Sequence, residues 1–214
     1  MKITKHIHAC VELERDGAAV LVDPGAFTPN AAELLARAKA VLITHEHFDH
    51  VDANALGDAL GARDDLSVWG PASVTDRWAG EYPGRVHSVR HGDTFTANGL
   101  DVAVHGERHA IIHADIPQVT NVGYLIGGSV YHPGDAYHVP DASVSTLLVP
   151  TSGPWTKLGE AVDWIRAVKP DAMIQIHEIM LSEIGQNSMA TFLRPEMLTE
   201  VALTLLPAGE SLDV

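Results

Sequence analysis

A six-residue segment in the first quarter of the chain contains four side chains of the types that bind metal ions. His45 and His47 are two residues apart, so both point to the same side of an extended chain. Asp49 and His50 follow directly, where the chain has to turn. Imidazole and carboxylate groups are ligands that zinc, iron and manganese take in proteins. Four ligand types this close together, directly after an apolar run, favour a metal site over a polar surface cluster.

The elements on either side of this segment explain how its side chains can share one pocket. The apolar, β-branched run Val41–Thr44 precedes it and is typical of a buried strand. Asp52 follows it in the position of a helix cap, before a helix predicted over Ala53–Leu60. The ligands therefore lie in a loop between a strand and a helix.

The same signals predict strands and helices along the whole chain. Strands are predicted at Val11–Leu13, Ala18–Val22, Ser67–Trp69, Leu100–Val104, Val122–Ile126, Ser129–Tyr131, Leu147–Val149 and Ala172–Ile176. Helices are predicted after an Asn30/Glu33 cap, after Pro71, over Leu158–Val168 and over Arg194–Leu203. This mixture predicts an α/β (α+β) protein with two packed sheets and helices outside. The length of 214 residues, with no linker or repeat, predicts a single domain over residues 1–214.

The composition of the chain limits the kinds of partner and location that the protein can have. The chain has 28 acidic residues against 14 Lys and Arg and a formal net charge of −14, which disfavours nucleic acid as a partner. Cys10 is the one cysteine, so no intrachain disulfide can form. The first residues lack the apolar stretch of a signal peptide, and no apolar run reaches the roughly 18 residues of a membrane span. We therefore expect a cytoplasmic protein that acts on a small-molecule substrate without a membrane partner, and a homo-oligomer is left open.

The segment Thr44–His50 resembles the His-x-His-x-Asp-His signature of the metallo-β-lactamase superfamily. Three further matches follow the family's order: Leu21-Val22-Asp23-Pro24, Tyr131-His132-Pro133-Gly134-Asp135 and Gln175-Ile176-His177. His8-Ala9-Cys10 resembles the opening of the branch that includes the ascorbate-6-phosphate lactonases and uncharacterised metal-dependent hydrolases. The resemblance spans nearly the whole chain. It implies an αββα four-layer sandwich of the metallo-β-lactamase fold, with a two-metal site in the cleft between the sheets.

The resemblance also implies which residues bind the two ions. One ion would be held by His45, His47 and a histidine from the middle of the chain; the other by Asp49, His50 and His177; and Asp135 would bridge them. The family places its middle histidine a few residues after a strand, which favours His109, with His113 as the alternative. His105, His109 and His113 are spaced by four, so they could also line one face of a helix. Asp23 and His8 are expected to orient the ligands without binding metal themselves.

A site of this kind predicts hydrolysis. Two divalent ions a few ångströms apart can share a water and lower its pKa to about 7, which gives a metal-bridged hydroxide at neutral pH. We expect this hydroxide to attack an ester, lactone, amide or phosphodiester bond of a small molecule, with Asp49 as the catalytic carboxylate. Zinc is the expected metal, with manganese and iron as alternatives. Three other functions are left open: a mononuclear iron dioxygenase on the same fold, a nuclease, and a non-catalytic metal-binding protein.

Overall fold

The computed structural model describes residues 1–214. Six strands from the first half of the chain and the last strand of the chain form one seven-stranded sheet. The strands are β1 (Lys2–Lys5), β2 (Val11–Arg15), β3 (Ala18–Val22), β4 (Ala40–Leu42), β5 (Ser67–Gly70), β6 (Val86–Ser88) and β14 (Ser211–Asp213). Their order across the sheet is β14-β1-β2-β3-β4-β5-β6. A hairpin joins β2 to β3 with Arg15 opposite Ala18, and both residues of its turn, Asp16 and Gly17, have the positive φ that such turns require.

The second half forms a second seven-stranded sheet. Its strands are β7 (Thr94–Ala97), β8 (Leu100–His105), β9 (Gly123–Ile126), β10 (Val130–His132), β11 (Thr146–Pro150), β12 (Ala172–Ile176) and β13 (Leu203–Thr204). The order across this sheet is β13-β12-β11-β10-β9-β8-β7. The helices are α1 (Ala31–Arg37), α2 (Ala53–Ala62), α3 (Ala72–Thr75), α4 (Leu158–Val168) and α5 (Glu183–Phe192). None of these helices is long and apolar enough to cross a membrane.

Three apolar cores hold four layers together. The central core lies between the sheets, where Val22 and Leu42 of the first sheet pack with Val102, Ile126 and Ile174 of the second. A second core joins the outer face of the first sheet to α1 and α2, and a third joins the outer face of the second sheet to α4. The expected αββα sandwich is therefore confirmed, and its buried apolar faces are the main source of stability.

Parallel strand pairing brings several strand ends to one edge of each sheet. In the first sheet β3, β4 and β5 are parallel, and in the second sheet β10, β11, β12 and β13 are parallel. Parallel neighbours end at the same edge, so the loops that follow them lie side by side. The segment beginning at Thr44 is the loop after β4.

One predicted helix is corrected by the structure, and one helix was not predicted. The closing helix over Arg194–Leu203 is wrong, because Leu203 pairs with Met173 as part of β13. The last helix is α5 instead, and its N-terminus is capped by the Ser182 hydroxyl, which accepts a hydrogen bond from Gly185 N–H. No residue of α5 is fully buried, although Met189 packs against the third core.

Other boundaries differ by smaller amounts. The strand predicted over Val41–Thr44 ends at Leu42, because the Thr44 N–H bonds to the Asp23 side chain. Asn30 precedes α1 without a side-chain cap, whereas Asp52 caps α2 as predicted, accepting hydrogen bonds from Asn54 and Ala55 N–H.

Candidate metal centre

Eight side chains with metal-binding atoms converge where the loops after β1, β4, β8, β10 and β12 meet. They form two groups, and within each group the ligand atoms all lie within 4.8 Å of one another. The first group is His45, His47, His109 and Asp135, and the second is His8, Asp49, His50 and His177. All seven side chains singled out as ligands from the sequence lie in these groups. His113 does not, because its side chain is 65% exposed and lies beside Asp115.

Asp135 lies between the two groups and presents one oxygen to each. Its Oδ1 is 3.0 Å from His50 Nε2 and 3.1 Å from His177 Nε2. Its Oδ2 is 3.3 Å from His109 Nε2 and 4.0 Å from His45 Nε2. Asp135 is therefore in position to bridge two cations, one held by each group.

Hydrogen bonds between Asp23 and Thr44 hold the loop after β4 in place. Asp23 is fully buried and accepts hydrogen bonds from Thr44 N–H at 2.8 Å, from the Thr44 hydroxyl at 2.7 Å and from His50 Nδ1 at 2.7 Å. In the neutral form of His50 that a metal ion requires, the last bond would hold the proton on Nδ1 and leave the lone pair of Nε2 for the ion, on the side of Asp135. Asp23 thus makes the contact that orients a ligand histidine, which is the role expected of it.

Two more histidines are oriented in the same way. His45 Nδ1 lies 3.0 Å from the Thr44 hydroxyl, whose proton is already donated to Asp23, so the hydroxyl oxygen can accept from His45. His109 Nδ1 donates to the Ala110 carbonyl at 2.6 Å. In each case Nε2 is left without a proton on the side of the centre, where His45 Nε2 lies 3.1 Å from His47 Nδ1, and this is the tautomer a metal ligand needs.

Several buried atoms at the centre lack a well-aligned hydrogen bond within the protein, although Asp135 Oδ1 lies 3.0 Å from His50 Nε2 and 3.1 Å from His177 Nε2. They are His50 Nε2, His109 Nε2, both ring nitrogens of His177, His8 Nδ1 and Asp135 Oδ1. Leaving so many polar atoms unsatisfied in the interior would cost several kcal/mol, on the order of 1–3 for each. Imidazole lone pairs converging on a carboxylate are a donor set that suits zinc-class ions. The residues present therefore fit the metal ions that the sequence implies.

The charges at the centre also favour a cation. Burial acts to lower the pKa of His50, but Asp135 and Asp23 outweigh it and hold this pKa well above its usual range. Burial, reinforced by His50, lowers the pKa of His45 well below its usual range, so His45 is neutral. Burial acts to raise the pKa of Asp135, but His50 and His177 hold it well below the ordinary carboxyl value. Two buried carboxylates thus draw positive charge to this position, and metal ions can supply it.

The backbone around the centre adopts conformations that most residues avoid. His8, Asp23 and His177 have φ values of 66°, 48° and 57°, in the left-handed region. Such positions cost free energy and persist where the surrounding structure requires them. At Gly25 the constraint is close approach, since a Cβ there would overlap the backbone carbonyl of Asp49.

His8 lies closer to the metal-binding atoms than the sequence indicated. Its Nε2 is 3.0 Å from Asp49 Oδ2, and its ring packs against His177 at a tilt of 45°, with 3.7 Å between the ring centroids. This hydrogen bond helps to hold Asp49. Burial acts to raise the pKa of Asp49, but the bond to His8 and the charge of His50 lower it to about 2.

Sequence reasoning missed two residues that position Asp135. Trp155 Nε1 donates to Asp135 Oδ2 at 2.9 Å, and the Asn121 side-chain oxygen accepts from Asp135 N–H at 2.9 Å. Neither residue stands in a recognisable motif, because each reaches the centre from a distant part of the chain.

Comparison with known proteins agrees with the fold. The family model described as "Beta-lactamase superfamily domain" matches residues 2–177. Protein Rv0786c of Mycobacterium tuberculosis is 36% identical over 191 residues, which cover 85% of this chain and 86% of that protein. The UPF0173 metal-dependent hydrolase MK1542 of Methanopyrus kandleri is 28% identical, and the two chains are covered completely.

A solved structure shows the same fold. The structure of Igni18, a metallo hydrolase from Ignicoccus hospitalis, superposes with a TM-score of 0.74 at 19% identity, covering 99% of this chain and 97% of Igni18. The fold and the paired groups of histidine and aspartate define a protein of the metallo-β-lactamase class. The chain belongs to the beta-lactamase superfamily domain family, as its sequence predicted, and is similar to the metal-dependent hydrolase MK1542.

Proposed function

We propose that this protein is a hydrolase with two divalent metal ions, zinc by preference, that cleaves an ester, lactone, amide or phosphodiester bond in a small molecule. His45, His47 and His109 would hold one ion, Asp49, His50 and His177 the other, and Asp135 would bridge them. A cytoplasmic location is part of the proposal. The relationship to metal-dependent hydrolases supports the reaction class.

The position of Asp135 is the observation that carries this proposal. Its two oxygens face two separate groups of ring nitrogens, at 3.0 and 3.1 Å on one side and 3.3 Å on the other. A structural carboxylate needs only one set of partners, and a single metal site would need only one of the groups. Bound zinc ions would supply a Lewis acid and would lower the pKa of water to near neutrality.

Side chains of the protein would position the attacking water and accept its hydrogen bond. Asp49 keeps part of its side chain, 13%, open to solvent while Asp135 is nearly closed off at 4%. With a pKa of about 2, Asp49 is ionised at neutral pH and can accept a hydrogen bond from an attacking water at its carboxylate. His8 Nε2 holds that carboxylate through Oδ2, at 3.0 Å. His47 is also partly exposed.

Removal of the Asp49 carboxylate tests the proposal. In Asp49→Ala the three histidines of the first group and Asp135 keep their contacts, so metal should be retained at one position and weakened at the other. Turnover per bound metal should fall at least about 100-fold, because positioning and proton acceptance are lost together. The measurement needs protein freed of metal and reconstituted with zinc, assayed on lactone, phosphodiester and thioester substrates. A thermal melt on the same preparation separates lost chemistry from lost folding.

Glu46→Ala is the matched control, because Glu46 is an exposed carboxylate in the same loop and belongs to neither group. It should keep the activity of the unmodified protein. Unchanged turnover per metal in folded Asp49→Ala protein would refute the assigned role. Oxygen uptake with bound iron, and no hydrolysis with zinc, would favour the dioxygenase instead.

A further inference from the structure

A third group of histidines lies outside the centre described above. His91, His105 and His138 have ligand atoms within 4.8 Å of one another. We propose that these three side chains form a separate binding site for a divalent transition-metal ion, and that this ion clamps together the two loops that carry His109 and Asp135.

The three histidines lie close in sequence to the loops that carry His109 and Asp135, so an ion bound by them would connect these loops. His105 is the last residue of β8 and precedes His109 by four residues. His138 follows Asp135 by three residues in the loop after β10. The two loops are already joined by hydrogen bonds from Ala110 N–H to the Asp135 carbonyl at 2.8 Å and between Asp135 N–H and the Asn121 side chain at 2.9 Å. An ion bound by His105 and His138 would add a further link between them, and His91 would add the connection between β6 and β7.

Two of the three rings each have a buried nitrogen that makes no hydrogen bond. His105 Nε2 and His138 Nε2 are inaccessible to solvent and have no hydrogen-bond partner. Buried polar atoms without partners are costly, and the great majority in native proteins are satisfied. The backbone makes room for this arrangement at Gly106, whose φ is +80°, since a Cβ there would lie 3.3 Å from the His138 ring.

The two rings are also in the protonation state that a metal ligand needs. Burial, together with the neighbouring histidines, lowers the pKa of both His105 and His138, and the charge of Asp141 opposes this only in part. Both rings are therefore neutral at pH 7, so an ion does not have to displace a proton from them.

His91 makes the proposed site accessible from solvent and affects how tightly the site would bind an ion. Its ring is exposed, at the edge of an open cavity of about 900 Å³. Its Nδ1 accepts a hydrogen bond from Gly106 N–H at 3.1 Å, so coordination through this atom would exchange that bond for a metal bond. The exchange has a cost, and we expect this site to fill after the two positions at the main centre.

The ligand set indicates the class of ion. Three imidazoles without a thiolate suit zinc, nickel and copper, whereas magnesium and calcium prefer sites made of oxygen atoms. A water can take a fourth position. Zinc is the probe of choice, because it does not change oxidation state.

Zinc titration of the metal-free protein against a chromophoric chelator tests the proposal without reference to activity. The unmodified protein should bind one more equivalent of zinc than His91→Ala, whatever number the main centre takes. His138→Gln should lose the same, weakest equivalent. His113→Ala removes an exposed histidine that belongs to none of the three groups, so it is the matched control and should keep the full number.

His91 is exposed, so its replacement should leave the melting temperature of the metal-free protein unchanged. The number of zinc ions bound per chain can then be compared directly between the variant and the unmodified protein. Hydrogen exchange of the backbone over residues 106–110 and 133–138 should slow when the last equivalent binds to the unmodified protein, and not in His91→Ala. Equal zinc stoichiometry in the unmodified protein and His91→Ala would overturn the proposal. Loss of the same equivalent in His113→Ala would overturn it as well.

Discussion

Replacement of Asp23 by asparagine tests how the protein prepares a ligand histidine. Asp23 accepts three hydrogen bonds, two from Thr44 and one from His50 Nδ1. Asparagine has the same shape and tolerates the left-handed φ of 48°, so the fold should survive. It has only one accepting oxygen, and its amide nitrogen donates. If that nitrogen faces His50 Nδ1, the ring must carry its proton on Nε2, where the metal ion would bind.

The expected loss follows from this change of tautomer. Removing a partner that orients a metal ligand weakens metal binding about 10- to 100-fold, which corresponds to about 1.4 to 2.8 kcal/mol. The loss should concern the ion held by His50, Asp49 and His177. The ion held by His45, His47 and His109 should keep most of its affinity.

Zinc affinity can be measured by competition with a chromophoric chelator at constant pH, on metal-free protein. Asp16→Asn is the matched control, because Asp16 also has a positive φ, 54°, but lies in the β2–β3 turn away from the centre. Asp23→Asn should lose affinity for one equivalent only, and Asp16→Asn for none. Equal zinc affinities in the two variants would show that the contact between Asp23 and His50 does not prepare the ligand.

Three further outcomes follow from the structure. Gly25→Ala should displace the Asp49 backbone and reduce turnover more than it reduces the binding of zinc at His45, His47 and His109, as steady-state kinetics beside zinc titration will show. Removing metal should lower the melting temperature by about 5 to 11 °C relative to protein held at 100 times the dissociation constant, because such binding stabilises by about 2.7 kcal/mol; a calorimetric melt with no shift would contradict this. Cys10 is fully buried and burial raises the pKa of its thiol, so a thiol-specific reagent should label it only in denaturant, and rapid labelling of the native protein would contradict its place in the core.

Local sequence signals predicted the parts of the molecule that local chemistry determines. The cap at Asp52 and the helix α4 follow from capping and apolar spacing. The loop after β4 carries its ligands close together, so their convergence could be predicted from spacing alone. The αββα sandwich was implied by the resemblance to the superfamily.

Long-range contacts could not be predicted in the same way. Trp155 and Asn121 meet Asp135 only because the loops of one sheet edge are folded against each other. The strand β13 has two residues and owes its conformation to pairing with β12, which apolar spacing does not encode. The choice of His109 over His113 likewise depends on where the loop after β8 turns, and the structure places the first inside and the second in solvent.

Anomalous X-ray diffraction from zinc-loaded crystals, collected on both sides of the zinc absorption edge, tests the central claim most directly. We predict two peaks at the main centre on opposite sides of Asp135, one among His45, His47 and His109 and the other among Asp49, His50 and His177. A peak beside His91, His105 and His138 would be separate from these. A single peak at the main centre, or none, would contradict the two-metal hydrolase.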